Sequence, residues 1–283
     1  MIRFASGGDH PGLKALWSDI FGDSREAVEE YFALRHRDDC LLVDARDDGI
    51  AGMLTMLPLR LLSSGHSFPA RYIYAVATHP AYRNQGVSTR LLDHAHSVMS
   101  SRGEAAAVLV PASPGLFDFY GKRGYQTAFS LDIIRFDAGE VPLFPKDARF
   151  FPCALEAYAH FRDSAFANSR LYARWDEKAV AYAVRSLGSQ GGVMRLVAQG
   201  GEGCAAWERQ GGHVLVRDLP LLNMDVMTAL SVLHHALKAP AYHVRLPEGS
   251  HPGSRRLPFG MINWLIPEPA LSGGAPYLSL ALD

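Results

Sequence analysis

The stretch 72–92, YIYAVATHPAYRNQGVSTRLL, constrains this chain more than any other. It reads as strand, turn, helix. Apolar, aromatic and β-branched residues run from Arg71 to Thr78, His79-Pro80 stops them, and a polar loop feeds straight into a helical pattern. In that pattern Val87, Leu91, Leu92, Ala95, Val98 and Met99 recur every three or four residues. A loop that delivers a strand into a helix in this way leaves backbone N–H groups of the loop and of the first helical turn pointing outward, where they can hold phosphate oxygens. Arg83 adds a positive charge, and Gly86 has no Cβ to keep a ligand from the backbone. The spacing of a P-loop, with its lysine, is missing, and so is the dinucleotide fingerprint G-x-G-x-x-G.

An anion site has to come from such a motif, because the chain as a whole does not supply one. Lys and Arg number 28 against 29 Asp and Glu, which excludes a general electrostatic attraction to nucleic acid or to an anionic membrane. With 48% hydrophobic and 20% charged residues the composition is that of an ordinary globular protein. Its 283 residues suggest two domains of roughly 140 residues each. The start, MIRFASGGDHPG, has no apolar core for a signal peptide, and no apolar run approaches the ~20 residues of a membrane span. Cys40, Cys153 and Cys204 are odd in number and far apart, unlike a secreted disulfide framework. A soluble, cytoplasmic protein is the expectation.

Around the central stretch the pattern predicts a short strand near Ile2 and helices over 11–21 and 25–35. Strands over 40–44, 50–59 and 71–78 should be antiparallel neighbours. The helix over 87–100 leads to a buried parallel strand over 105–110, reached by a helical crossover. A short helix (116–122) and two strands (125–129 and 132–136) close the half. Residues 137–149, with Pro142, Pro145, Lys146 and Asp147, are the linker candidate. Beyond it come helices over 154–166 and 175–187, strands over 193–198, 203–209 and 213–219, the helix Val226–Leu237 and a strand over 242–246. The two halves look alike: helix, short break and apolar strand ending at Pro111 are matched by the same order ending at Pro247. A final strand over 277–282 would answer the one over 131–136.

The segment 83–88 (Arg83, Asn84, Gln85, Gly86, Val87, Ser88) resembles the acyl-CoA-binding motif R/Q-x-x-G-x-G/A of the GNAT N-acetyltransferase superfamily. Ser88 stands where Gly or Ala is usual. A second segment, LFDFYGKRGY over 116–125, is similar to the F-Y-x-K-x-G-F/Y element of the same superfamily. The resemblance, closest to tandem-GNAT proteins of the enhanced intracellular survival type, implies an α/β (α+β) fold. An N-terminal GNAT domain with a mixed central sheet would occupy residues 1–140, and a degenerate GNAT-like domain without its own CoA site would occupy 150–283. It implies acetyl-CoA (coenzyme A) as cofactor. N–H groups from Asn84 through Thr89 (Asn84, Gln85, Gly86, Val87, Ser88, Thr89) would hold the pyrophosphate beside Arg83. The backbone of Val76, Ala77 and Thr78 would pair with the pantetheine arm.

The reaction this resemblance implies is direct transfer of an acetyl group to a primary amine, for no cysteine lies near the motifs to carry it. Tyr120 takes the place of the family tyrosine near the thioester sulfur, where a phenol can protonate the departing thiolate. The Glu that often serves as base is missing; Tyr74 and His79 are weighed and read as a core residue and a turn residue. In the related enhanced intracellular survival enzymes the C-terminal carboxylate acts as base, which makes Asp283 the candidate here. In the second half the matching place reads Pro220-Leu-Leu-Asn-Met-Asp225, with no Arg-x-x-Gly, so that half is expected to shape the acceptor pocket.

No metal is expected: His234 and His235 are adjacent on a helix and point to different faces. Ser113 lacks a nucleophile elbow. The expected partner is a small-molecule or peptide amine, with no nucleic acid and no membrane, and a homo-oligomer stays open. Two other readings are kept, a non-catalytic acyl-CoA sensor and a transferase using aminoacyl-tRNA. The second calls for a basic face and a lost pyrophosphate loop, neither of which this sequence shows.

Overall fold

The computed structural model describes residues 1–281. In chain order its elements begin with β1 (Ile2–Phe4), α1 (His10–Phe21), α2 (Arg25–Leu34), β2 (Leu41–Arg46), β3 (Gly49–Ser63) and β4 (His66–Thr78). They continue through α3 (Val87–Ser101), β5 (Ala106–Leu109), α4 (Pro114–Gly121), β6 (Gln126–Asp137), β7 (Arg149–Pro152), α5 (Leu155–Ala165), β8 (Tyr172–Arg174) and α6 (Glu177–Arg185). The last are β9 (Gly191–Ala198), β10 (Gly201–Gln210), β11 (His213–Asp218), β12 (Leu221–Leu222), α7 (Val226–Leu237), β13 (Ala241–Pro247) and β14 (Arg255–Trp264). No helix among the described residues is long and apolar enough to cross a membrane.

The chain divides into two compact units that are not sequential. The first holds Met1–Arg60, Phe68–Gln126 and Met261–Pro269; the second holds Leu61–Ser67, Thr127–Gly260 and the residues from Ala270 onward. In the first unit the strand order is β1-β2-β3-β4-β5, followed by the last residues of β14. β1 and β3 flank β2 antiparallel, while β4 and β5 are parallel, as the crossover through α3 requires. The apolar stripe of α3 (Val87, Leu91, Leu92, Ala95, Met99) is buried in one core with Leu54, Met56, Ile73, Ala107 and Leu109. Each of the larger side chains among them stabilises the unit by roughly 1.5–3 kcal/mol.

The second unit repeats this scheme. β11 and β13 are parallel and joined by α7, with β10, β9 and β7 on one side and β6 antiparallel to β13 on the other. Its centre is polar as well as apolar. Arg162 on α5, 1% exposed, pairs through Nε with Asp218 Oδ2 at 2.8 Å, and the phenols of Tyr158 and Tyr277 donate to the same carboxylate at 2.5 and 2.7 Å. Arg162 Nη2 and Trp175 Nε1 donate to the Ser279 hydroxyl and carbonyl.

Three expectations from the pattern need correction. The strands predicted over 125–129 and 132–136 are one strand, β6, and it completes the sheet of the second unit. In its place the first unit takes Met261–Trp264 of β14, which pair antiparallel with β5. The sequence pattern marks 259–266 only as an apolar, glycine-containing patch that answers 119–129. Finally, the predicted C-terminal strand is irregular over its described residues. Tyr277 makes an isolated bridge to Tyr172, and the side chains of 277–281 are buried through the polar network and the core rather than through a ladder.

Candidate active site

The ladder between β4 and β5 is short. It runs through Ala70↔Ala106, Arg71↔Ala107 and Tyr72↔Val108, and stops, while β4 continues to Thr78. Two features of β4 mark the parting. Tyr72 and Ile73 are both buried, so the in–out alternation slips there, and Ala75 has φ 50°. A non-glycine residue in that region costs about 1–2 kcal/mol. Beyond Tyr72 β4 therefore runs on past its ladder with β5, the geometry in which an extended ligand arm can pair by strand addition. Val76, Ala77 and Thr78 lie on this stretch.

Past Thr78 the chain is pinned before it turns. His79 N donates to Ala51 O at 2.9 Å, and its ring accepts from Ala81 N, starting one 3-10 turn. The exposed loop from Arg83 follows, with Asn84 at φ 61° and Gly86 at φ 72°. These two left-handed residues swing the backbone into α3. Gly86 is its N-cap; it offers no side chain to cap the helix, and the first turn holds no acidic residue. The outward N–H groups of that turn and the positive end of the helix dipole are left to an external anion. α7 shows the opposite choice: Asp225 caps its own helix by accepting from Thr228 N at 2.9 Å.

Residues outside the motif hold this loop in shape. Asp44 on β2, 1% exposed, pairs with Arg90 Nη2 at 3.2 Å, and Arg90 Nη1 donates to the Gln85 carbonyl at 2.6 Å. Burial pushes the Asp44 carboxyl upward, but Arg46 and Arg90 outweigh it, so it stays ionised below the usual carboxylate range. Gly52 on β3 lets α3 start close by: a Cβ there would stand 2.6 Å from Val87 Cγ1 and 2.7 Å from the Ala77 carbonyl. From the other side Arg123 donates to Thr89 Oγ1 through Nε at 3.1 Å and through Nη2 at 2.5 Å. Its guanidinium lies 3.5 Å from the centre of the Phe119 ring. A second cation thus stands at the first turn of α3.

Tyr120 comes to the same core from α4. It is 8% exposed and belongs to the cluster that holds Ile73, Ala107 and Leu109, against which Val76 also packs. Its ring meets Phe119 and Tyr125 edge-on, at 5.1 and 5.7 Å. Burial pushes its hydroxyl up to about 12, so it keeps its proton at neutral pH. Tyr74 packs among Trp17, Tyr31 and Tyr72, and His79 is engaged in the turn, as the sequence suggested for both. Asp283 lies outside the described residues.

Of the motif residues, then, Arg83 to Thr89 form one loop and helix start, Val76 to Thr78 the released edge beside it, and Tyr120 the phenol in the core below. Asp44, Gly52, Ala75, Arg90 and Arg123 escaped the sequence reading. Only Asp44 left a signal, a carboxylate set in the apolar run Leu41-Leu-Val-Asp-Ala45. Comparison with protein families bears on this first part of the chain. The model described as "Acetyltransferase (GNAT) domain" matches residues 1–128.

The match covers less than half of the chain. Solved structures of related fold extend over nearly all of it. A GCN5-related N-acetyltransferase from Anabaena variabilis is 18% identical with TM-score 0.79, covering 94% of this chain and 73% of that one. A probable N-acyltransferase from Enterococcus faecalis is 14% identical with TM-score 0.75, over 94% and 72%. Eis1 from Mycobacterium abscessus is 13% identical with TM-score 0.67, over 94% and 74%. At these identities the likeness is one of fold. No curated protein matches the chain.

Proposed function

We propose that this protein is an acetyltransferase of the GNAT family, that it binds acetyl-coenzyme A between the released edge of β4 and the start of α3, and that it transfers the acetyl group directly to a primary amine. The observation that carries the reading is the coincidence, within one unit, of a parted parallel strand pair and an uncapped helix start flanked by Arg83 and Arg123. The residues fit the cofactor. Two left-handed positions aim backbone N–H groups outward, no carboxylate occupies the first turn, and Gly52 lets the helix start lie against β4.

Acetyl-CoA supplies the acetyl group as a thioester. Arg83 and the N–H groups from Asn84 through Thr89 bind its pyrophosphate, and Val76 to Thr78 orient its arm by backbone pairing. Tyr120 would give its hydroxyl proton to the departing sulfur as the amine nitrogen takes the acetyl carbon, and the proton the amine loses would return to the phenolate through solvent, leaving the amide, the free thiol and a neutral Tyr120. The second half, which we read as a GNAT-like module over 150–283, takes no CoA, because Asp225 fills the helix start where a phosphate would sit.

An amine panel assayed for free thiol release tests the proposal, with Arg83→Ala and Tyr120→Phe beside the wild type. Thiol release with at least one amine, reduced in both variants, is expected. If CoA bound but no amine released thiol, the acyl-CoA sensor reading would replace this one. Two CoA equivalents per chain would overturn the reading of the second half.

A further inference from the structure

Away from the acyl-transfer residues, the first unit gathers two imidazoles and a carboxylate from three places in the chain. His10 opens α1, His36 follows the end of α2, and Asp38 begins the 3-10 turn that leads into β2. His10 Nε2 lies 2.7 Å and His36 Nε2 2.8 Å from one and the same atom, Asp38 Oδ1. The three candidate donor atoms fall within 4.8 Å of one another. Packing fixes both rings: His36 stacks on Phe32 with centroids 4.6 Å apart, Phe32 meets His10 edge-on at 5.6 Å, and the two imidazoles stand at 89° to each other.

We propose that His10, His36 and Asp38 form a three-ligand site for a first-row divalent cation of the zinc or cobalt type. The donor set, two imidazoles and one carboxylate, is one such ions take, and three protein ligands leave room for water. The solvent side is open: the side chains of His10 and Asp38 are 33% and 42% exposed, against 5% for His36. Bonds of about 2.0–2.2 Å set tetrahedral donor atoms roughly 3.3 Å apart, so the exposed Asp38 carboxylate has to swing outward by about half an ångström.

One further fact favours occupation. Both imidazoles already turn Nε2, the atom a metal would take, toward the same Asp38 oxygen, so the ion would replace the two Nε2···Oδ1 contacts without either ring having to turn. The ion would clasp the start of α1, the end of α2 and the approach to β2. These helices carry Trp17 and Tyr31, which pack on Tyr74 in the released stretch of β4, so the clasp would stiffen one wall beside that stretch.

The test uses the full, untagged chain, stripped with EDTA and titrated with CoCl2 while visible absorption is followed; thermal unfolding is measured with and without ZnCl2. One equivalent of cobalt should saturate an intense d–d band that zinc abolishes, and zinc should raise the unfolding temperature. His10→Gln and Asp38→Asn, both at partly exposed positions, should each weaken cobalt binding at least tenfold and remove the thermal shift. His243→Gln, from the His213/His243 pair in the second unit, should change neither. No band in the wild type, or a band that survives both His10→Gln and Asp38→Asn, overturns the proposal.

Discussion

Arg83 and Tyr120 divide the work of the proposed transfer, and their variants should fail differently. Arg83 is exposed, so its contact with a phosphate is screened and worth about 1 kcal/mol. Arg83→Ala should weaken CoA about fivefold by calorimetry and leave kcat almost unchanged. In the proposed reaction Tyr120 acts only as the C–S bond breaks, so Tyr120→Phe should lower kcat by roughly 10² or more at little cost in CoA affinity. The pH profile carries an independent prediction. Because burial lifts the phenol to about 12, above its ordinary 10, its neutral, donating form persists as pH rises through the ordinary value. The wild-type kcat should therefore show no downturn from Tyr120 between about pH 7 and 9; a downturn there that disappears in Tyr120→Phe would show the phenol ionising in that range and overturn its raised pKa.

At the scale of elements, the cradle depends on how closely α3 approaches β3 and β4. Gly52→Ala places a methyl 2.6 Å from Val87 and 2.7 Å from the Ala77 carbonyl. The backbone atom cannot rotate away, so the helix start has to shift. Overpacking of this kind costs about 1–3 kcal/mol. The variant should unfold at lower temperature by calorimetry and bind CoA more weakly than Arg83→Ala does, because the whole turn moves rather than one charge. The parting of β4 from β5 has a similar local cause: a bulge-like slip at Tyr72 and Ile73, with Ala75 held at positive φ, ends a ladder that the strand sequence alone would continue.

For the molecule as a whole, the two units are held by different means. The first has an apolar core in which α3 and α4 meet the sheet. The second adds a fully buried ion pair, Arg162 with Asp218, whose remaining valences are met by Tyr158, Tyr277 and Ser279. Breaking one side of such a pair leaves a charge without a partner and costs about 3–5 kcal/mol. Asp218→Ala should lower the unfolding free energy of the second unit in urea by that measure, while CoA binding by the first unit persists at low urea. Equal loss in both would show that the two units unfold as one.

What the sequence determined by itself was local. The strand-loop-helix of 72–92, the FYGKRGY element and the parallel crossover follow from periodicity, turn chemistry and the uncapped Gly86, all of which act within a few residues. The likeness of the two halves was legible for the same reason, since each repeats one helix-strand pattern. The exchange of strands was not legible: β6 carries no mark that it serves the second unit, and Met261–Trp264 carries none that it pairs with β5, because ladder partners are chosen by register and space far along the chain. The same holds for Asp44 with Arg90, Arg123 with Thr89, and His10 with His36 and Asp38. Their residue types were visible from the start; that they meet is a consequence of packing, which only the tertiary structure decides.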